Sequence, residues 1–378
     1  MEYKKLGDIA TYINGYAFKP EQRGNEGLPI IRIQDLTGNA YDLGYYNGDY
    51  PKKVELNDGD VLISWSASLG VYLWNRGKAL LNQHIFKVVF DKVEIDKFYF
   101  MYAVEYNLDK MSLKTHGATM KHITKKDFDN VVIPYPDLDY QKEVAYRLTS
   151  LKGIIEKYQK QLDLLDELVK ARFVEMFGDP VTNPKGWETT SIGDECYYIK
   201  DGPHKSLPDI GRDNGGHPFI SVRNIVNGYI DFSDARYISD EDYYDSIKKC
   251  HPEKGDMLYS KGGTTGIAKL IDIDEPFANW VHVAVLKFDK FRLNGIFFEN
   301  MLNGDYCYSQ SQRLTKGIAN RDLVLSAMAQ IKLYCPPLEL QNQFASFVQE
   351  IDKSRSRIQK SLEASQELFD CLMQEYFG

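Results

Sequence analysis

Cysteine is scarce in this chain and unevenly placed. The five thiols, Cys196, Cys250, Cys307, Cys335 and Cys371, all fall in the second half, are odd in number and never form a Cys-x-x-Cys pair. Neither a disulfide framework nor a zinc site is expected from that pattern. No run of about eighteen apolar residues is present, so no membrane span is expected, and Met1-Glu2-Tyr3-Lys4-Lys5 lacks the apolar core of a signal peptide. The expectation is a soluble, cytoplasmic protein that does not contact a membrane. Signatures of chemistry are missing too. There is no His-Glu-x-x-His, and the glycine-rich run 261–266 is followed by Ile267, so no P-loop lysine is placed. The single Pro-Pro, Pro336-Pro337, stands between Cys335 and Leu338, outside any Asn/Asp-Pro-Pro-aromatic loop of the kind that amine methyltransferases carry. We therefore expect no catalytic residue, no metal ligand and no resident cofactor.

What the chain does contain is itself, twice. Gly117 pairs with Gly317, Pro136 with Pro336, Leu138 with Leu338, Gln141 with Gln341, Glu175 with Glu375 and Phe177-Gly178 with Phe377-Gly378, all at an offset of two hundred. Earlier anchors are Leu6-Gly7-Asp8 with Ile192-Gly193-Asp194, Pro29-Ile30-Ile31 with Pro218-Phe219-Ile220, and Gly59-Asp60-Val61-Leu62 with Gly255-Asp256-Met257-Leu258. Between the anchors the copies differ. Two domain-sized copies are too few and too long for a solenoid, and a chain of 378 residues with 43% hydrophobic content can build two cores. The duplication implies an internal pseudo-two-fold repeat.

Each copy ends in a long amphipathic stretch. In the first, Leu148, Leu151, Ile155, Leu162 and Leu165 recur in steps of three, four or seven; in the second, Val348, Ile351, Ile358, Leu362 and Phe369 do so in the same register. That spacing is a heptad seam. Proline-bearing segments precede both stretches and Phe-Gly closes both. About forty residues at 1.5 Å each make a helix of roughly 60 Å, whose apolar stripe needs a partner. A two-fold relation between the copies pairs the two helices antiparallel.

The remaining segments read as strand-rich heads. Ile30-Ile31-Arg32-Ile33, Val61-Leu62-Ile63, 85–90 and 281–286 are strand-like, while helices are expected near 98–106 and 295–302. The fold class is α+β: two mixed strand-rich heads, 1–137 and 179–337, separated by two long antiparallel coiled-coil helices, 138–178 and 338–378. Turn-rich polar segments in the heads suit contact with DNA, because Lys and Arg neutralise phosphates while Arg, His, Asn and Thr reach base edges. The candidates in the first head are Tyr16, Lys19, Ser64, Trp65, Ser66, Lys114, His116, Thr119, Lys121 and His122. In the second head they are His204, Lys205, Ser260, Lys261, Thr264, Thr265, Arg313, Lys316, Asn320 and Arg321. The net charge of −8 argues against a uniformly basic coat and makes local charge the relevant quantity.

The order of head, long helix, head, long helix, with Gly-Asp-Val-Leu and Gly-Asp-Met-Leu strands, a proline-Leu segment before each helix and Phe-Gly after it, resembles the DNA-specificity subunits of Type I restriction-modification systems. The resemblance covers essentially the whole chain. It implies that the heads are target recognition domains and that the helices space them and dock partners. The implied partners are double-stranded DNA, two adenine-methylating modification subunits using S-adenosylmethionine, and restriction or translocase subunits using ATP. It further implies that this chain is a non-catalytic subunit reading a bipartite, asymmetric target. Two other readings stand beside it, the specificity subunit of a related two-subunit restriction system and a coiled-coil adaptor whose heads bind protein.

Overall fold

The apolar alternation at Val61-Leu62-Ile63 resolves into a strand covered on both faces. The structure, a computed structural model, describes residues 2–38, 42–66, 68–114, 124–318 and 320–378, apart from the side chains of 109 and 111–114. The chain divides into two compact units. One comprises Met1–Lys160 with Gln359–Gly378, the other Gln161–Ile358.

The first unit is built on β1 (Tyr3–Lys5), β2 (Thr11–Asn14), β3 (Leu28–Ile31), β4 (Gly44–Tyr46), β5 (Glu55–Leu56), β6 (Val61–Ser64), β7 (Gly70–Leu73), β8 (Ala79–Leu81), β9 (Ile85–Val89) and β10 (Val132–Pro134). The main sheet has the order β2-β9-β6-β7 and is antiparallel throughout. A second sheet, β4-β3-β8-β5, contains the parallel pair β3–β8, and β1 pairs with β10. Side chains alternate across the main sheet because successive strand residues face opposite ways. Val61, Ile63, Phe86 and Val88 enter a core with Tyr99, Phe100 and Val104 of the helix Lys97–Lys114, while Leu62 and Ile85 enter another with Ile31, Trp74 and Leu81.

The second unit repeats this plan with β11 (Glu188–Ser191), β12 (Cys196–Asp201), β13 (His217–Ile220), β14 (Arg236–Ile238), β15 (Met257–Ser260), β16 (Ala268–Leu270), β17 (Ala278–Asn279), β18 (Val283–Phe288) and β19 (Lys332–Cys335). Its main sheet runs β12-β18-β15-β16, its second sheet β14-β13-β17 with β13–β17 parallel, and β11 pairs with β19. The duplication is thus a duplication of topology. The expected helices are longer than the sequence suggested, at Lys97–Lys114 and Gly295–Asn303, and the second head adds Asp240–Lys249 and Asp305–Leu314. Ile33 leaves the strand and opens a short helix, Ile33–Thr37.

The repeated motifs are joints of the scaffold. In Gly59-Asp60 and Gly255-Asp256 the glycines sit at φ +91° and +87°, a region open to glycine at little cost. Each aspartate takes the backbone N–H three residues before it, of Asn57 at 2.8 Å or Glu253 at 2.9 Å, and pairs with a strand lysine. Lys87 lies 2.7 Å from Asp60, and Lys287 lies 2.6 Å from Asp256. The repeated glutamines fasten helix to head. Gln141 accepts the Asp96 N–H at 2.9 Å and donates to the Pro136 carbonyl at 2.8 Å; Gln341 accepts from Asn294 at 2.9 Å and donates to Pro336 at 2.7 Å. Both glutamines are buried.

The two rods, Leu138–Phe177 and Leu338–Phe377, are forty residues each. In the first unit the start of the first rod packs on the end of the second, joining Val144 and Leu148 to Met373, Tyr376 and Phe377 in one core. In the second unit the end of the first rod packs on the start of the second, through Val169 and Phe173 with Phe344 and Val348. The rods are therefore antiparallel. Of the expected seam, Leu148, Leu151, Leu162 and Val348 are buried, and Ile155, Leu165, Ile351, Ile358, Leu362 and Phe369 are half-buried. Arg355, which interrupts the second stripe, pairs with Asp166 at 2.7 Å. Phe177 ends the first rod, followed by Gly178 at φ +81°. Carbonyls of the last turn are satisfied from the linker: Lys185 donates to Glu175 and Met176, and the Trp187 indole to Phe177 at 2.7 Å.

Candidate nucleic-acid interface

In each head a hairpin tip carries predicted contact residues, 65–69 after β6 and 261–267 after β15. A buried serine at the base of each tip holds it. Ser64 Oγ donates to the Ser68 carbonyl at 2.5 Å, and Ser260 Oγ accepts the Ile267 N–H at 2.8 Å. Both residues are fully buried, so their hydroxyls shape the loop from beneath. Trp65 lies half-buried with its ring stacked on Phe86 at 5.6 Å, against the core of the first head. Ser66 is half-buried beside it. Tyr16 is half-buried against Phe18, while Lys19 is exposed. Lys114 is the last residue of its helix; His116, Thr119, Lys121 and His122 lie outside the described residues.

In the second head three of the predicted segments converge. Asp322 forms backbone bridges with Gly262 and with Lys316, and the Leu323 N–H donates to the Lys261 carbonyl at 2.7 Å. The Gly263 N–H donates to the Arg321 carbonyl at 3.1 Å. This stitches the tip 261–267 to the turn 315–323, where Gly317 at φ +83° makes the reversal. Below them the Thr265 and Thr315 hydroxyls lie 2.9 Å apart, and Thr265 is buried. Arg321, exposed above, points its guanidinium at Gln312 and Thr265. Asp201, at the end of β12, brings in the third segment: His204 lies 3.6 Å from its carboxylate and Lys261 3.6 Å.

The exposed surface so assembled presents His204, Thr264, Lys316, Asn320 and Arg321. Arg313 is exposed and belongs to the helix Asp305–Leu314 that leads into the turn, one residue before the helix ends. No ion pair engages Arg313 or Lys316 among the described residues. Lys205 is different, since it lies 3.1 Å from Asp245 and holds that carboxyl below its usual range. Lys261 is buried, and its ammonium is paired with Asp322 at 2.9 Å. Sequence reasoning missed Asp201, Gln312 and Asp322, which hold the surface residues from behind. Among the described residues no group of three or more His, Cys, Asp or Glu side chains is arranged to hold a metal, and no helix is long and apolar enough to cross a membrane.

A profile of the Type I restriction modification DNA specificity domain matches residues 1–165 and again 184–366, one match to each repeat. The chain belongs to this family. DNA sequence specificity in restriction-modification is accordingly its field of action. Among Type I relatives, the MjaVIII specificity subunit of Methanocaldococcus jannaschii is 23% identical, with 95% of this chain and 89% of the relative covered. The EcoBI specificity subunit of Escherichia coli is 22% identical over 94% and 80%. The crystal structure of the Type I S subunit from M. genitalium superposes with a TM-score of 0.61 at 15% identity, covering 100% of this chain and 96% of that one. A structure from work on complex assembly and conformational transition of the type I R-M system gives 0.55 at 13% identity, covering 99% and 97%. At those identities the likeness establishes the Type I specificity-subunit fold.

Proposed function

We propose that this chain is the non-catalytic specificity subunit that reads a bipartite, asymmetric DNA target and directs adenine-methylating and restriction subunits to it. The observation that carries this is one scaffold used twice with different surfaces. The main-sheet order, the parallel pair of the second sheet, the Gly-Asp joints and the glutamine fasteners coincide in the two heads, while the hairpin tips read Ser-Trp-Ser-Ala-Ser-Leu-Gly in one and Ser-Lys-Gly-Gly-Thr-Thr-Gly in the other. Equivalent scaffolds place two recognition surfaces alike, and divergent tips read different bases. The half-sites therefore differ. The paired rods set the unread spacer between them, and S-adenosylmethionine and ATP are bound by the partner subunits. Acids on the exposed rod faces, such as Glu143, Glu156, Asp163 and Glu363, face protein partners in this reading.

Co-expression with the cognate modification subunit, followed by sequencing for N6-methyladenine, tests the proposal. Methylation at one split, asymmetric motif that vanishes without this chain is the expected result. A stable complex that methylates no such motif overturns it.

A further inference from the structure

Lys261 is a lysine where a loop tip would ordinarily bury nothing charged. Its side chain is 7% exposed, its ammonium lies 2.9 Å from Asp322 and 3.6 Å from Asp201, and the Asp201 side chain is itself only 10% exposed. Lys249 closes the group from outside, 2.8 Å from Asp201. Burying such charges carries a desolvation cost that the pairing roughly offsets, so the cluster is a weak device for stability as such. What it fixes is geometry. An ammonium held between two carboxylates sets the relative positions of three segments remote in sequence: the end of β12, the tip after β15 and the turn after the helix Asp305–Leu314.

Resting on the DNA-reading function proposed above, we infer that Lys261 is a positioning residue for sequence discrimination by the second head. With Asp201 and Asp322 it holds His204, Lys316 and Arg321 in one register, without touching DNA. Among the described residues the first head has no equivalent of it. Strand pairing aligns Asn14 of β2 with Asp201 of β12, and Trp65 with Lys261, since the former pair sit opposite Phe86 and Ala284 and the latter bond the carbonyls of His84 and His282. An amide and an indole occupy the first head's places for the carboxylate and the ammonium.

The test uses the full chain assembled with its modification subunits, comparing wild type with Lys261→Met, Asp322→Asn and Lys261→Arg. Two quantities are read: methylation at the target and at every single-base variant of it, and the salt dependence of DNA binding. Lys261→Met is expected to methylate variants of the second half-site about tenfold more, relative to the cognate site, than wild type does, with discrimination at the first half-site intact. Arg at position 261 is expected to restore most of the discrimination, and the salt slope to stay unchanged. A direct phosphate contact would instead weaken binding to all sequences alike and reduce the slope by about 0.9; that outcome overturns the inference, as does unaltered discrimination in a folded variant. Should Lys261→Met fail to fold, Asp322→Asn, which keeps the Asp201 pair, is read by the same two criteria. Absence of a split motif in the wild type overturns the function proposal itself, so the two failures are told apart.

Discussion

At the scale of single residues, the repeated aspartate is the most exposed to test. Asp256 shares its burial with Lys287, and removing it leaves that half-covered ammonium only the more exposed Glu253 carboxylate and frees the Glu253 N–H, together at a cost of about 3 kcal/mol. Asp256→Ala is expected to lower the melting temperature of the second unit by roughly 6–12 °C in calorimetry. Glu253 also accepts from Lys287, and that hydrogen bond holds its carboxyl below the ordinary value of 4.5. A depressed carboxyl contributes stability above its ordinary value and loses it as pH falls through the depressed one. The stability gap between wild type and Lys287→Met is therefore expected to narrow below about pH 4 in acid titrations. Thiols supply a second check. Burial pushes Cys196 and Cys307 up to about 12 and Cys250 up to about 11, so at pH 8 they are neutral and covered, whereas Cys371 is exposed. Native protein treated with a thiol reagent at pH 8 is expected to modify Cys371 and spare those three until it unfolds.

Among the elements, the rods are the most legible from sequence, because a heptad stripe sustained over forty residues has one economical use. Their ends are legible too, through Phe-Gly and the preceding prolines. The sheets are not, since the parallel pairs β3–β8 and β13–β17 join segments whose apolar runs look like any others. The interface is legible in part. Turn residues mark the loops, yet Lys261 reads as a surface cation because its partner Asp322 lies 61 residues away and no local pattern announces the pairing. Ser64 and Ser260 mislead similarly, as residue type signals hydrogen bonding without saying to what. Rod ends carry a sharper prediction. Phe377 lies 5.2 Å from the Tyr99 ring in one unit and Phe177 4.8 Å from Phe297 in the other. Truncation of either to Ala is expected to cost about 3–4 kcal/mol. Peptide-resolved hydrogen exchange is expected to show Phe377→Ala loosening β6 and β9 and Phe177→Ala loosening β15 and β18; equal loosening of both sets by one variant would show that the units are not separately cored.

For the whole molecule, the proposed spacing role of the rods predicts that one helical turn inserted into one rod changes the tolerated spacer by one or two base pairs, judged from roughly 5.4 Å per turn of helix and 3.4 Å per base pair. Both half-sites are expected to keep their bases in the methylation map. An unchanged spacer would refute the ruler. The division of the chain has another outcome, in time. The second unit is one unbroken stretch, 161–358, whereas the first needs residues 359–378 to finish its core. During synthesis the head made first thus waits, with Tyr99 and Tyr102 lacking the wall that Phe369, Met373 and Phe377 provide, until the head made second is already complete. A released chain that stopped shortly before Phe369 would hold a finished second unit and an open first one, a state in which the early half depends on protection from aggregation.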